Sequence, residues 1–124
     1  YLFSFDPTTE RIKNLGKPIR QSRIRALTEA NDGRIYGIAG EEIVHYLFCY
    51  DPETGGMGNL GIPQAHHPRA WSGFECDAMA TGPSGEIYIG QSERLSSIFV
   101  YYPDVKVRRA PSLPQPESGP DLYR

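Results

Sequence analysis

The stretch Tyr46-Leu47-Phe48-Cys49-Tyr50-Asp51-Pro52 decides the fold, because the chain contains it more than once. Tyr1-Leu2-Phe3-Ser4-Phe5-Asp6-Pro7 matches it 45 residues earlier, and Ile98-Phe99-Val100-Tyr101-Tyr102-Pro103 is a weaker third copy. Aromatic and β-branched residues precede turn residues in these copies, which is typical of short strands. The repetition indicates an architecture built from similar units.

A second element repeats at a wider spacing. Residues 26–36, with Asn31-Asp32-Gly33 at their centre, match residues 78–88, with Pro83-Ser84-Gly85, at an offset of 52. Each copy predicts two strands joined by a tight turn, because glycine stands where a positive φ is favoured. No stretch shows the apolar spacing of a long helix. We therefore predict an all-β chain.

Four strands and two tight turns in each unit match the period of a β-propeller blade. The predicted fold class is about two and a half four-stranded antiparallel blades, an incomplete ring. Residues 1–16 form a half blade, 22–61 a blade and 77–109 another, which together make a propeller region at 1–109. Prolines at 110–124 predict a Pro-rich tail or linker. The strands within the blades are predicted at 24–30, 34–39, 46–50, 57–61, 77–82, 86–90, 97–102 and 105–109.

Three motifs resemble the repeats of kelch- and NHL-like propellers, including those in bacterial polysaccharide lyases. They are Asp-Pro-x-Thr at 6–9 and 51–54, Leu-Gly-x-Pro at 15–18 and 60–63, and Asp-Gly-Arg-Ile-Tyr-Gly at 32–37. The resemblance extends over most of residues 1–105. Because the matched residues occupy turn and core positions, it implies a fold rather than an activity. It also implies a secreted or periplasmic location.

Charge and composition exclude several classes of partner. The formal net charge is -2, which argues against nucleic acid. No apolar run approaches the roughly 18 residues of a membrane span, so no membrane partner is expected. The 2 cysteines form no metal-ligand spacing, and neither a metal nor another cofactor is predicted. Uncovered sheets in an incomplete ring predict further blades as partners, from the same polypeptide or from other copies of the chain.

The connections between strands predict two different ends of the sheets. One end has tight turns, whereas the other has the longer connections 17–23, 40–45, 63–76 and 90–97. Irregular loops on a rigid scaffold are where binding groups tend to lie. The wider second spacing enlarges the connection at 63–76 by seven residues. The predicted ligand-binding residues, all at this end, are Arg20, Arg23, His45, His66, His67, Arg69, Trp71, Glu93 and Arg94.

The residue types at this end favour an anionic carbohydrate. Guanidinium groups pair bidentately with carboxylate or sulfate, and Trp71 can stack on a sugar ring. The alternatives are that Trp71 packs between blades and that the arginines are only solvated. His66, His67 and Arg69 are the catalytic candidates, because imidazole carries protons near neutral pH. The alternative is that all three histidines of the chain are surface loop residues.

Three functions therefore stay open. The first is a binding scaffold for anionic carbohydrate, the second is part of a polysaccharide lyase or hydrolase, and the third is a protein-interaction or structural propeller. Whether the chain is an enzyme is not decided by these residues. Tyr36 and Tyr88, at matching strand positions, are expected in the core, and Cys49 is expected to be a buried, inert thiol.

Overall fold

The structure is a computed structural model and describes residues 1–20, 22–41, 44–63, 75–92 and 97–103. This part of the chain is all-β and antiparallel, as predicted, and contains no helix. The predicted strands between residues 24 and 102 are present, with bounds that differ by at most two residues. The prediction at 105–109 lies outside the described residues, as does the tail at 110–124. The strands are β1 (Leu2–Asp6), β2 (Arg11–Gly16), β3 (Arg23–Glu29), β4 (Ile35–Glu41), β5 (Val44–Tyr50), β6 (Met57–Gly61), β7 (Cys76–Thr81), β8 (Ile87–Gln91) and β9 (Ile98–Tyr101).

The strands form three separate sheets in chain order. β1 and β2 make the N-terminal hairpin, β3-β4-β5-β6 make the middle sheet, and β7-β8-β9 make the C-terminal sheet. Within each sheet, every strand pairs antiparallel with the strand that precedes or follows it in sequence. The contacts between sheets are concentrated between β3 and β7, the first strands of their sheets. The hydrogen bond between Thr28 Oγ1 and Thr81 Oγ1, 2.8 Å long, joins these two strands.

The tight turns form by the chemistry that the sequence predicts. Gly33 and Gly85 have φ values of 82° and 85°, which side chains with a Cβ rarely adopt. In the hairpin, Asp6 Oδ1 accepts hydrogen bonds from the Thr8 and Thr9 amides at 2.9 and 3.4 Å. Local acceptors of this kind satisfy backbone amides where the ladder stops.

The main core lies between the middle and C-terminal sheets. Register pairs Tyr36 with Cys49 and Ile38 with Leu47, so these four side chains share one side of the middle sheet, which we call its forward face. The opposing backward face of the C-terminal sheet carries another set of four, and both sets belong to one hydrophobic cluster. Full burial of each large apolar side chain stabilises the fold by about 1.5–3 kcal/mol. The second set is Ile87, Ile89, Phe99 and Tyr101.

The backward face of the middle sheet has a smaller core around Phe48. Phe48 is fully buried and packs in a cluster with Ile19 and Ala39. Its register partner is Gly37, where an added Cβ would collide with the Phe48 ring. The glycine therefore makes room for the aromatic side chain across the strands. Ile19 anchors the connection between β2 and β3 against this face.

Candidate ligand site at the loop rim

The register places the long connections at one end of the sheets, as predicted. The start of β3 pairs with the end of β4, and the start of β5 pairs with the end of β6. In the C-terminal sheet, Cys76 at the start of β7 pairs with Gln91 at the end of β8. We call this end the loop rim and the opposite end, with the tight turns, the turn rim. A hydrogen bond from Asn31 Nδ2 to the Pro83 carbonyl, 3.4 Å long, joins the turn rims of the two sheets.

A cleft opens at the loop rim, on the side of the backward face of the middle sheet. Its volume is about 490 Å³. Ile19 holds the connection before β3 against the sheet, so that the neighbouring Arg20 remains exposed at the wall of the cleft. The Ser22 amide donates to the Ile19 carbonyl at 3.4 Å, which folds this connection back on itself. The lining residues are Pro18, Ile19, Arg20, Ser22, Glu41, Val44, Tyr46 and Asn59.

The chemical groups in the cleft suit a ring-shaped ligand that carries hydroxyl groups and a negative charge. Arg20 supplies a guanidinium, Tyr46 a half-buried aromatic ring, and Ser22 a hydroxyl. The sequence indicates Arg20 but not Tyr46 and Asn59, which belong to strands rather than loops. The Asn-Leu-Gly repeat draws attention to Asn59 only as a turn residue, and its Oδ1 indeed accepts from the Gly61 amide at 2.8 Å.

Charged residues at the start of β3 and at or just before the start of β7 have opposite signs. Arg23 and Arg25 lie on β3, and the residues 52 positions later on the other sheet are Glu75 and Asp77. Arg23 Nε lies 3.9 Å from Glu41 Oε1, with both side chains exposed. An exposed pair of this kind contributes about 0–1 kcal/mol to stability. The loop rim is therefore basic on the middle sheet, beside the cleft.

On the acidic side of the loop rim, Ser92 contacts both Glu75 and Asp77. Its hydroxyl lies 2.9 Å from Asp77 Oδ2 and 2.9 Å from the Glu75 carbonyl oxygen. The Ser92 amide also donates to that carbonyl at 3.0 Å. Across the residues that the structure describes, no three His, Cys, Asp or Glu side chains form a group that could hold a metal ion.

His45 differs from the expectation of a surface loop histidine. It lies in β5 and only 1% of it is exposed, so that interpretation is wrong for this residue. The Cys76 amide donates a 2.9 Å hydrogen bond to His45 Nδ1, which connects the loop rims of the two large sheets. Nδ1 also lies 3.2 Å from the Cys76 carbonyl oxygen, to which the other tautomer of the ring would donate. Nε2 is buried and has no hydrogen-bond partner within the described chain.

Cys76 is buried and Cys49, expected to be buried, is only partly so; neither thiol has the surroundings of a nucleophile. Both cysteines are free, and Cys49 packs against the main core. Burial raises the pKa of Cys49, and burial together with the nearby Asp77 charge raises the pKa of Cys76 to about 11. A thiol with a raised pKa is protonated at neutral pH and is a poor nucleophile.

The other predicted site residues divide into two groups. Arg20 lines the cleft and Arg23 is the first residue of β3, both at the loop rim; their role in ligand binding stays a prediction. The remaining six lie outside the described residues, so the enlarged connection and all catalytic candidates stay predictions. These six are His66, His67, Arg69, Trp71, Glu93 and Arg94.

Comparison with known proteins returned no matching family model, curated protein or solved structure. In the described ranges no helix is long and apolar enough to cross a membrane.

Proposed function

We propose that this chain is a β-propeller segment that binds anionic saccharides at its loop rim. The arrangement that supports the fold is the sequential order of strands in each sheet, together with the packing of the middle sheet on the C-terminal sheet. Such stacking of four-stranded units is typical of propellers. An experimental structure in which the sheets share no common axis would contradict this part of the proposal.

The observation that carries the binding proposal is the cleft at the loop rim, where Arg20, Tyr46 and Ser22 line the same space. The guanidinium can pair with a uronate carboxylate or a sulfate through two parallel hydrogen bonds. The Tyr46 ring offers an apolar surface with a polar tip, which suits a sugar ring that has one apolar side. The hydroxyl of Ser22 donates to the Arg20 carbonyl at 3.4 Å and can accept a hydrogen bond from a sugar hydroxyl.

The electrostatics of the rim favour an anionic ligand over a neutral one. Arg23 and Arg25 lie on β3, which follows the connection that supplies Arg20 and Ser22, and Arg25 Nε donates to the Gly40 carbonyl at 3.4 Å. Glu41 also lines the cleft, but its carboxylate lies 3.9 Å from Arg23. This partner offsets the negative charge of Glu41 locally. Exposed charges are screened by salt, so the binding should weaken as ionic strength rises.

The test is titration calorimetry with an oligogalacturonate and, for comparison, a neutral oligosaccharide of the same length. We expect the acidic ligand alone to bind. Arg20→Gln should weaken binding roughly tenfold or more, because a hydrogen bond to a charged group contributes about 1.5–3 kcal/mol. Tyr46→Ala should weaken binding of the same ligand by removing the stacking surface.

The matched control is Arg11→Gln, which removes an exposed arginine at the turn end of β2, away from the cleft. Its affinity should equal that of the unaltered chain at the same ionic strength. Equal binding of the neutral and acidic ligands would show that charge is not recognised. Full affinity in both cleft variants would show that the cleft is not the site.

A further inference from the structure

One face of the C-terminal sheet and one face of the N-terminal hairpin are apolar and exposed. On the C-terminal sheet, register places Tyr88 opposite Val100 and Gly90 opposite Ile98, on the side that faces away from the middle sheet. We call this side its forward face. The large side chains there are between 40% and 74% exposed. On the hairpin, Phe5 pairs with Ile12 on the face that matches a backward face in the repeat, which we call the hairpin's backward face.

The hairpin's backward face is at least as exposed. Phe3, Phe5 and Ile12 are between 56% and 71% exposed, whereas Leu2, which alternates with them, is buried. Tyr1 extends the aromatic surface, since its ring centroid lies 6.3 Å from that of Phe3. Adjacent apolar side chains that remain exposed at a sheet face mark an interaction surface.

The repeat identifies what each exposed face is built to contact. Ile98 and Val100 match Leu47 and Cys49, which belong to the forward face of the middle sheet. That face is covered by the backward face of the C-terminal sheet. The exposed forward face of the C-terminal sheet therefore corresponds, in the repeat, to the forward face of the middle sheet, which is covered.

The exposed face of the hairpin corresponds to the backward face of the C-terminal sheet, which is the other surface of the internal interface. Phe3 and Phe5 match Phe99 and Tyr101, which lie on the backward face of the C-terminal sheet and pack in the main core. The forward face of the middle sheet thus contacts the backward face of the C-terminal sheet, while a forward face on the C-terminal sheet and a backward face on the hairpin are exposed. Two such faces on one molecule form a heterologous pair.

We propose that a second copy of this chain covers these surfaces, head to tail. The forward face of the C-terminal sheet of one copy packs on the backward face of the hairpin of the next. Because β1 matches β9 and the hairpin lacks the first two strands of a unit, the contact is centred on Phe3 and Phe5 against Ile98 and Val100. This proposal rests on the internal interface and not on saccharide binding.

Analytical ultracentrifugation with two complementary variants tests the geometry. Phe5→Asp introduces a charge on the hairpin face only, and Val100→Asp introduces one on the C-terminal face only. We expect the unaltered chain to self-associate with rising concentration. Each variant alone should remain monomeric, because burial of an unpaired carboxylate is strongly unfavourable. An equimolar mixture should form a one-to-one heterodimer, since each partner keeps the face that the other needs.

Gly58→Asp, on β6 of the middle sheet where an added Cβ has no atom within 4 Å, is the matched control and should associate like the unaltered chain. Circular dichroism checks that all variants keep the same strand content. If either variant is unfolded, Ile12→Asp and Ile98→Asp replace them, because these are the most exposed positions on the same two faces. A monomer at concentrations up to about 1 mM would overturn the proposal. An oligomer that both variants leave intact, or a mixture that stays monomeric, would also overturn it.

Discussion

Tyr36 and Tyr88 occupy the same position in two copies of the repeat, but their surroundings differ. Tyr36 is 2% exposed and Tyr88 is 40% exposed. Tyr36 lies on a forward face covered by the C-terminal sheet, with its ring centroid 5.8 Å from that of Tyr101. Tyr88 lies on the uncovered forward face, and its hydroxyl donates to Glu86 Oε1 at 3.1 Å. The expectation that both are core residues is therefore confirmed for Tyr36 and wrong for Tyr88.

Phe48 and Phe3 repeat this contrast on backward faces. Phe48 is fully buried against Ile19 and Ala39, whereas more than half of Phe3 is exposed. For the tyrosines only the neighbouring layer differs, whereas Phe3 also lacks a neighbouring strand that Phe48 has, because β1 pairs only with β2 and β5 lies between β4 and β6. The repeat sets which side of a sheet is apolar, but its place in the stack sets whether that side is buried.

The largest expected effect comes from shortening the two matched phenylalanines. Phe48→Ala should lower the free energy of unfolding by about 3–5 kcal/mol, because it removes a buried ring and leaves a cavity. Phe3→Ala should change it by no more than about 0.5 kcal/mol in dilute solution. Urea denaturation of both variants measures the difference. Equal losses would show that the hairpin face is covered in the isolated chain.

A smaller effect is expected at Gly37, which faces Phe48 across β4 and β5. The matching residue in the C-terminal sheet is Ile89, opposite Phe99. Gly37→Ala should lower the free energy of unfolding by about 1–3 kcal/mol, because the new Cβ would meet the Phe48 ring and lie 2.7 Å from Leu27 Cδ2.

Gly58→Ala in β6 is the control for Gly37→Ala, since no atom lies within 4 Å of an added Cβ there. Its denaturation midpoint should match that of the unaltered chain. The double variant Gly37→Ala with Phe48→Leu should lose less free energy of unfolding than the sum of the two single losses, because leucine makes room for the methyl group added at Gly37. Additive losses in the double variant would contradict a direct clash.

The smallest effect concerns the turn of the exposed hairpin. Hydrogen bonds from Thr8 and then Thr9 lower the pKa of Asp6 below its ordinary value. A lowered pKa in the folded state means that the ionised carboxylate favours folding. Its contribution is present above the ordinary pKa of the carboxyl and is lost as the pH falls through the lowered value.

An NMR titration of the Asp6 carboxyl carbon measures this pKa directly. Asp6→Asn keeps the side-chain oxygen that accepts from Thr8 but cannot ionise, so the variant should lose only the dependence of stability on acid. Asp51 in the matched turn is a useful comparison, because Arg34 Nε lies 3.7 Å from its Oδ2. An Asp6 pKa at its ordinary value would show that the turn opens in solution.

The local structure is predictable because it depends on short-range chemistry. The strand positions follow from runs of aromatic and β-branched residues, and the turns from Gly33, Gly85 and Asp6. The two rims then follow from antiparallel pairing alone. Arg20 and Arg23 can therefore be assigned to the loop rim from the sequence.

The burial of particular residues is less predictable, because it depends on packing between distant parts of the chain. The sequence places His45 at the end of a connection, which predicts a loop residue. β5 instead begins at Val44, and Cys76 from another sheet supplies the hydrogen bond to His45. Tyr46 escapes prediction for a similar reason: alternation along a strand does not show which end of a face borders an open cleft.

The bond between His45 and Cys76 also fixes the alignment of the two large sheets. Apolar side chains tolerate small sliding movements, because the dispersion attraction given up on one side is partly recovered on another. A hydrogen bond between an imidazole and one backbone amide has no such tolerance, and a buried amide that loses its acceptor carries a penalty of about 1–3 kcal/mol. The hydrogen bond therefore holds the two large sheets in one alignment. It keeps the arginines of β3 level with the acidic residues at the start of β7.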